Sequence, residues 1–169
     1  MNSAATHNRL AELRLVAFDV DGVFTDGRFY LSDAGVESKA FNTQDGFGIR
    51  RLVDAGFEVA VISGRRSAAA AKRMAELGVR HVILGTSDKV AAFDELIAGL
   101  GIDASECAYA GDDIPDLRLL EKVGYSIAVA NAVEVVRDFC DYTTMAAGGH
   151  GAVREICDLV LAARPEPAA

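Results

Sequence analysis

Two aspartates two positions apart, Asp19 and Asp21, close the apolar run Leu15-Val16-Ala17-Phe18 and open into Gly22. A run of that length suits a buried strand, and residues at i and i+2 of an extended chain project to the same side. Two ionised carboxylates about 4 Å apart repel by roughly 4 kcal/mol at an effective dielectric near 20, so a cation or a proton must offset them. Such a pair can divide the labour, one carboxylate attacking a substrate while its neighbour moves protons. D-x-D-G is also ordinary turn chemistry, so the pair alone decides nothing. Further along stand Ser63-Gly64-Arg65, Asp88-Lys89 and Gly111-Asp112-Asp113-x-x-Asp116, each following its own apolar run. A hydroxyl, a flexible backbone and a guanidinium make a cradle for phosphate or carboxylate. A lysine in the first turn of a helix adds to that helix's positive end. Each motif has a plain structural reading as a turn, a solvated lysine or a helix cap. Found together, in a fixed order, they point to one site. The acids Asp19, Asp21, Asp112, Asp113 and Asp116 form an oxygen-only set, which suits Mg²⁺ better than Zn²⁺ with its preference for His and Cys. His150, in Gly148-Gly149-His150-Gly151, reads as a loop histidine.

The elements that must position these residues alternate between strand and helix. Strands are predicted at about 15–19, 57–62, 81–84, 106–110, 126–129 and 142–144, helices at about 45–54, 67–77, 88–100, 116–122, 132–138 and 152–162. Ser32-Asp33-Ala34-Gly35 between two short extended segments predicts a hairpin with Gly35 in the left-handed conformation. Repeated βα units of this length imply an α/β, Rossmann-like, mainly parallel sheet with helices on both faces, plus the β-hairpin insertion. Ligands of such sheets bind outside the carboxyl ends of the strands, where all the motifs fall.

Composition bounds the rest. At 169 residues, 51% hydrophobic and 25% charged, the chain reads as one domain, 1–169, with 1–13 and 164–169 as loose ends. A net charge of −8 argues against nucleic acid or an anionic membrane as partner. No apolar run approaches the ~20 residues that span a bilayer, and the polar start lacks a secretory pattern. Cys107, Cys140 and Cys157 form no C-x-x-C pair, as expected of reduced thiols, and a cytoplasmic location is expected.

Asp19-x-Asp21, the strand ending in Ser63, then Lys89, then Gly111-Asp112-Asp113-x-x-Asp116 resemble the four ordered motifs of the haloacid dehalogenase superfamily. The match covers most of the chain. Asp21-Gly22-Val23-Phe24-Thr25-Asp26-Gly27, Ile62-Ser63-Gly64-Arg65 and Gly148-Gly149-His150-Gly151-Ala152-Val153-Arg154-Glu155 narrow it to capless sugar-acid phosphatases of lipopolysaccharide precursor synthesis. Arg118 departs from that pattern, which has proline there; the metal ligands are untouched. The resemblance implies a Mg²⁺-dependent phosphatase acting on an eight-carbon ulosonate 8-phosphate, with Asp19 as nucleophile and Asp21 as general acid and base. It implies Mg²⁺ on Asp19, the Asp21 backbone carbonyl and Asp112, and phosphate on Ser63, Gly64 and Lys89. Arg65 and Thr25 would meet the sugar acid, while Asp113 and Asp116 would orient Lys89 or metal-bound water. Without a cap domain, relatives of this type are implied to be homotetramers that close each site with a neighbour. The apolar Phe29, Tyr30 and Leu31 of the hairpin would serve that assembly or face their own core. Two readings stay open beside this one: a phosphatase for a nine-carbon ulosonate 9-phosphate, and a phosphate-accepting signalling or interaction module.

Overall fold

The apolar runs become the strands of one sheet. In chain order the elements are α1 (Ser3–Ala11), β1 (Leu15–Phe18), the hairpin strands β2 (Tyr30–Leu31) and β3 (Glu37–Ser38), α2 (Thr43–Asp54), β4 (Glu58–Ser63), α3 (Ala68–Leu77) and β5 (His81–Leu84). There follow α4 (Lys89–Leu100), β6 (Cys107–Gly111), α5 (Leu117–Leu120), β7 (Tyr125–Ala128), α6 (Glu134–Phe139), β8 (Tyr142–Thr143) and α7 (Ala152–Ala163). The computed structural model describes residues 3–164.

Six parallel strands run in the order β5-β4-β1-β6-β7-β8. Every residue of β1 and β6 is buried, as a strand covered on both faces requires. Ala17 of β1 sits opposite Ala60 of β4 on one side and Tyr109 of β6 on the other. The chain winds outward from β1 toward β4 and β5 and then returns to build β6, β7 and β8 on the opposite side. The carboxyl end of β1 is therefore the point where strand order reverses, and a crevice must open there.

Helices fill both layers. On one face α2 packs on α7, with α1 against α7 and α3 beside α2; on the other α4 meets α5. Asp88 caps α4 by accepting the backbone N–H groups of Val90 and Ala91, and Ser67 caps α3 through Ala70. Asp45 of α2 accepts the N–H of Arg154, supplying α7 with the side-chain cap that its own N-cap, Gly151, lacks. Among the described residues no helix is long and apolar enough to cross a membrane.

The hairpin forms where expected, with Gly35 at φ 76°, though its strands are only two residues each. Three expectations need correction. Within the expected loose end 1–13, of which residues 1 and 2 lie outside the described residues, α1 docks through Leu10, and Arg9 makes a two-pronged pair with Asp141 at 2.8 and 2.9 Å. A short polar stretch gives little helical periodicity, so its structure comes from these long-range contacts. Arg164 is likewise fixed, donating to the Ala55 carbonyl at 2.8 Å and lying over the Phe57 ring; the rest of the expected tail, 165–169, lies outside the described residues. The predicted helix 116–122 is preceded by a 3-10 turn, Ile114–Asp116, and shrinks to Leu117–Leu120. Pro115 favours that tight entry, with Asp113 capping it.

Candidate active site

The crevice at the end of β1 is a cavity of about 310 Å³. Its wall contains every residue expected to act in catalysis or to hold metal, phosphate or sugar acid except Thr25. Asp19 and Asp21 arrive from β1, Ser63, Gly64 and Arg65 from β4, Lys89 from the first turn of α4, and Asp112, Asp113 and Asp116 from the end of β6.

Asp19 is buried and both its oxygens are held. Oδ1 accepts the Val20 N–H at 2.7 Å, and Oδ2 lies 2.9 Å from the Lys89 ammonium. Burial pushes the Asp19 carboxyl above its ordinary value; Lys89 opposes the shift and Asp116 reinforces it. Lys89 also donates to Asp116 Oδ1 at 2.7 Å and to the Tyr109 hydroxyl at 3.2 Å. Burial works against its charge, but Asp19 and Asp116 outweigh it, so the Lys89 pKa is raised. Asp116 is fully committed: Oδ1 takes Lys89 and Tyr109, and Oδ2 takes the N–H groups of Asp112 and Asp113. Its Oδ1 thus lies against the ammonium that it was expected to orient. Asp113 does not reach Lys89; its carboxylate accepts the Ile114 N–H at 2.7 Å.

Carboxylate oxygens of Asp19, Asp112 and Asp116 lie within 4.8 Å of one another. Each Asp116 oxygen already takes two donors, whereas each Asp19 oxygen takes one, so Asp19 and Asp112 are the pair with lone pairs left for a cation. Burial, followed by the charges of Asp116, Asp19 and Asp113, pushes the Asp112 carboxyl up to about 7. Lys89 opposes that rise but does not cancel it, and an oxygen-liganded dication fits the remaining need. Gly22, at φ +86°, admits Asp112 here, because a Cβ on it would fall 2.0 Å from Asp112 Oδ2.

Ser63 is buried at the end of β4, and its carbonyl accepts the N–H groups of Gly85 and Thr86, tying the β4 and β5 ends together. Arg65 lies over the Phe29 ring, 4.1 Å to the centroid, and donates to Glu37 Oε2 at 2.9 Å. Phe29, Tyr30 and Leu31 are 42%, 68% and 65% exposed, so they do not face their own core.

Thr25 needs correction as a sugar-binding residue. It is fully buried and its hydroxyl braces the loop after β1, accepting from the N–H groups of Gly22 and Gly27 and donating to the Val20 carbonyl. Three contributors escaped the sequence reading. Lys39 of the hairpin pairs with Asp21, Tyr109 binds Asp116 and Lys89, and Asn131 bridges the Gly22 carbonyl to the Gly148 N–H. Only the position of Tyr109 two residues before Gly111 carried any local signal.

A family model described as haloacid dehalogenase-like hydrolase matches residues 81–156. The chain is 45% identical over 162 residues to 3-deoxy-D-manno-octulosonate 8-phosphate phosphatase KdsC of Escherichia coli K12, covering 96% of this chain and 86% of that protein. The crystal structure of the Yersinia pestis phosphatase of the same name matches with a TM-score of 0.92 and 44% identity, over 94% of this chain and 85% of that one. The Moraxella catarrhalis phosphatase, solved with a magnesium ion, a phosphate ion and a KDO molecule, matches with a TM-score of 0.93 and 42% identity, over 96% of this chain and 94% of that one.

Proposed function

The chain belongs to the 3-deoxy-D-manno-octulosonate 8-phosphate phosphatases among the haloacid dehalogenase-like hydrolases, and from that membership we propose that it hydrolyses this ulosonate phosphate to the free sugar acid and phosphate. The reaction serves synthesis of the lipopolysaccharide precursor sugar. The observation that carries the reading is Asp19 at the strand-order reversal, pinned between the Val20 N–H and Lys89. Mg²⁺, held by the Asp19 and Asp112 carboxylates and the Asp21 backbone carbonyl, supplies positive charge between an anionic nucleophile and an anionic phosphate.

Asp19 attacks phosphorus through a carboxylate oxygen, forming an aspartyl-phosphate as the bond to the sugar oxygen breaks. Asp21 gives its proton to that departing oxygen, then removes one from the water that attacks the aspartyl-phosphate, releasing phosphate and restoring Asp19. Ser63 and the Gly64 backbone receive the phosphoryl oxygens together with Lys89, whose ammonium Asp116 keeps in place. Arg65 meets the substrate carboxylate, a charge-assisted contact worth about 1.5–3 kcal/mol. Its guanidinium, braced by Glu37 and Phe29 at the cavity wall, is suited to that contact and favours the eight-carbon acid.

The exposed Phe29, Tyr30, Leu31 and Val36 of the hairpin support a homotetramer in which a neighbouring copy covers this face, the whole chain acting as one cytoplasmic domain. Phosphate release should be measured on the eight-carbon 8-phosphate, a nine-carbon ulosonate 9-phosphate and a small ester lacking a carboxylate, with Mg²⁺ and with a chelator. The expected result is Mg²⁺-dependent turnover with the highest kcat/KM on the eight-carbon substrate. Preference for the nine-carbon substrate would overturn the assignment of substrate, and stoichiometric phosphate retention without turnover would overturn the activity.

A further inference from the structure

The hairpin does more than present an apolar surface. Lys39, at its return, has a side chain with 0% exposure even though its backbone is partly open. A buried ammonium must be paired, and this one contacts Asp21 Oδ1, with Glu37 Oε1 3.8 Å away. The other oxygen of the same carboxylate, Asp21 Oδ2, is buried without a hydrogen-bond partner. Arg65 Nε stands 3.5 Å from it as a neighbouring charge. The two oxygens of Asp21 are thus in different situations, at the wall of the cavity where the leaving group must depart.

We propose that Lys39 is a positioning residue for Asp21: by holding Oδ1 it fixes the direction of the whole carboxyl group at the cavity wall. The inference rests on Asp21 being the general acid and base. The ammonium is shut off from solvent, so the carboxyl is anchored at one oxygen and cannot rotate freely. So anchored, the carboxyl gives a proton to the sugar oxygen as the P–O bond breaks and takes one from water as the new O–P bond forms. Lys39 keeps its place because the hairpin is tied down. Glu37 accepts from Ser67 Oγ at 2.7 Å and Arg65 Nη2 at 2.9 Å, and Ser67 is itself the cap of α3.

The test compares wild type, Lys39→Met, Asp21→Asn and the double variant on two substrates, the ulosonate 8-phosphate and p-nitrophenyl phosphate, in single turnover. The aryl leaving group needs no proton, so its transfer to Asp19 should be spared. Lys39→Met should lower the single-turnover rate on the sugar phosphate by about 10- to 100-fold with the half-saturating concentration nearly unchanged, part of the ~10²- to 10⁴-fold that general acid–base catalysis supplies. Its aryl-phosphate step should stay within about threefold, and in the Asp21→Asn background it should add less than about twofold, since coupled residues are non-additive. Equal losses on both substrates, or full additivity in the double variant, would overturn the role of Lys39. Undiminished sugar-phosphate turnover in Asp21→Asn would instead overturn the role of Asp21. If Lys39→Met does not fold, ¹⁵N-lysine NMR of wild type and Asp21→Asn decides. A slowly exchanging ammonium signal beyond that of Lys89, present in wild type and lost in Asp21→Asn, supports the pairing; its absence from wild type overturns it.

Discussion

Asp19 is held by one neutral and one charged donor, the Val20 N–H and the Lys89 ammonium, so its orientation is set before any substrate arrives. Asp19→Asn preserves that shape but replaces the oxygen anion proposed to attack phosphorus with an amide. Phosphate release should fall by at least ~10³-fold, given the weight of a covalent nucleophile, while circular dichroism stays native. Retention of more than a few per cent of turnover, with deamidation excluded by mass spectrometry, would rule out the aspartyl-phosphate. Arg65 tests selectivity at the same scale. Losing a charge-assisted contact of about 1.5–3 kcal/mol corresponds to roughly 10- to 100-fold in kcat/KM. Arg65→Ala should show that loss on the ulosonate phosphate and much less on a small ester without a carboxylate. Equal losses would reduce Arg65 to a brace for Glu37 and the hairpin.

Among the elements, the loops after β1, β7 and β8 form a cross-brace behind the acids. Asn131 donates to the Gly22 carbonyl at 3.1 Å and accepts the Gly148 N–H at 2.6 Å, while the Gly149 N–H reaches the Val23 carbonyl. Gly148 is needed because a Cβ there would lie 1.7 Å from the Gly22 carbonyl oxygen, which has no room to yield. Gly148→Ala should therefore lower both the Tm and kcat, by about tenfold or more in kcat, since displacement of the 22–25 loop carries Asp21 with it. Gly99, near the end of α4, is the contrasting case. Nothing lies within 4 Å of a Cβ built on it, so Gly99→Ala should stabilise the protein by about 0.5–1 kcal/mol, with kcat unchanged. Thermal melts and steady-state rates on the two variants check both expectations.

For the whole molecule, collecting acids at the strand-order reversal weakens the fold in the absence of a cation. Asp112, pushed up to about 7 by burial and by its acidic neighbours, binds protons more tightly folded than unfolded. Its contribution is therefore destabilising above pH 7 and is relieved as pH falls from 7 toward 4, where the folded state takes up a proton that the unfolded chain does not. Metal-free protein should gain Tm on going from pH 8 to pH 6 through this group. Mg²⁺ should raise Tm more at pH 8 than at pH 6, because its ligand must be ionised. Asp112→Asn should raise the Tm of the metal-free protein at pH 8, flatten that pH dependence and remove activity. Calorimetry across pH, with and without Mg²⁺, checks all three; an unchanged or lowered Tm for Asp112→Asn at pH 8 would contradict the electrostatic account.

By itself the sequence determined the alternation of strands and helices, the hairpin with its left-handed Gly35, and the placement of Asp19, Asp21, Ser63, Lys89 and Asp112 at strand ends or first turns. Those features are local: apolar runs, capping side chains and glycine turns write them within a few neighbouring residues. Tertiary structure decided what no window along the chain contains. It put β1 between β4 and β6, docked α1 through Arg9 and Asp141, and turned Thr25 inward where sugar contact was expected. It also brought Lys39 to Asp21 across 18 positions and Asn131 to Gly22 across 109. A side chain's partner across such distances depends on how the whole sheet and its loops close, and residue type alone records neither the direction it faces nor the group it meets.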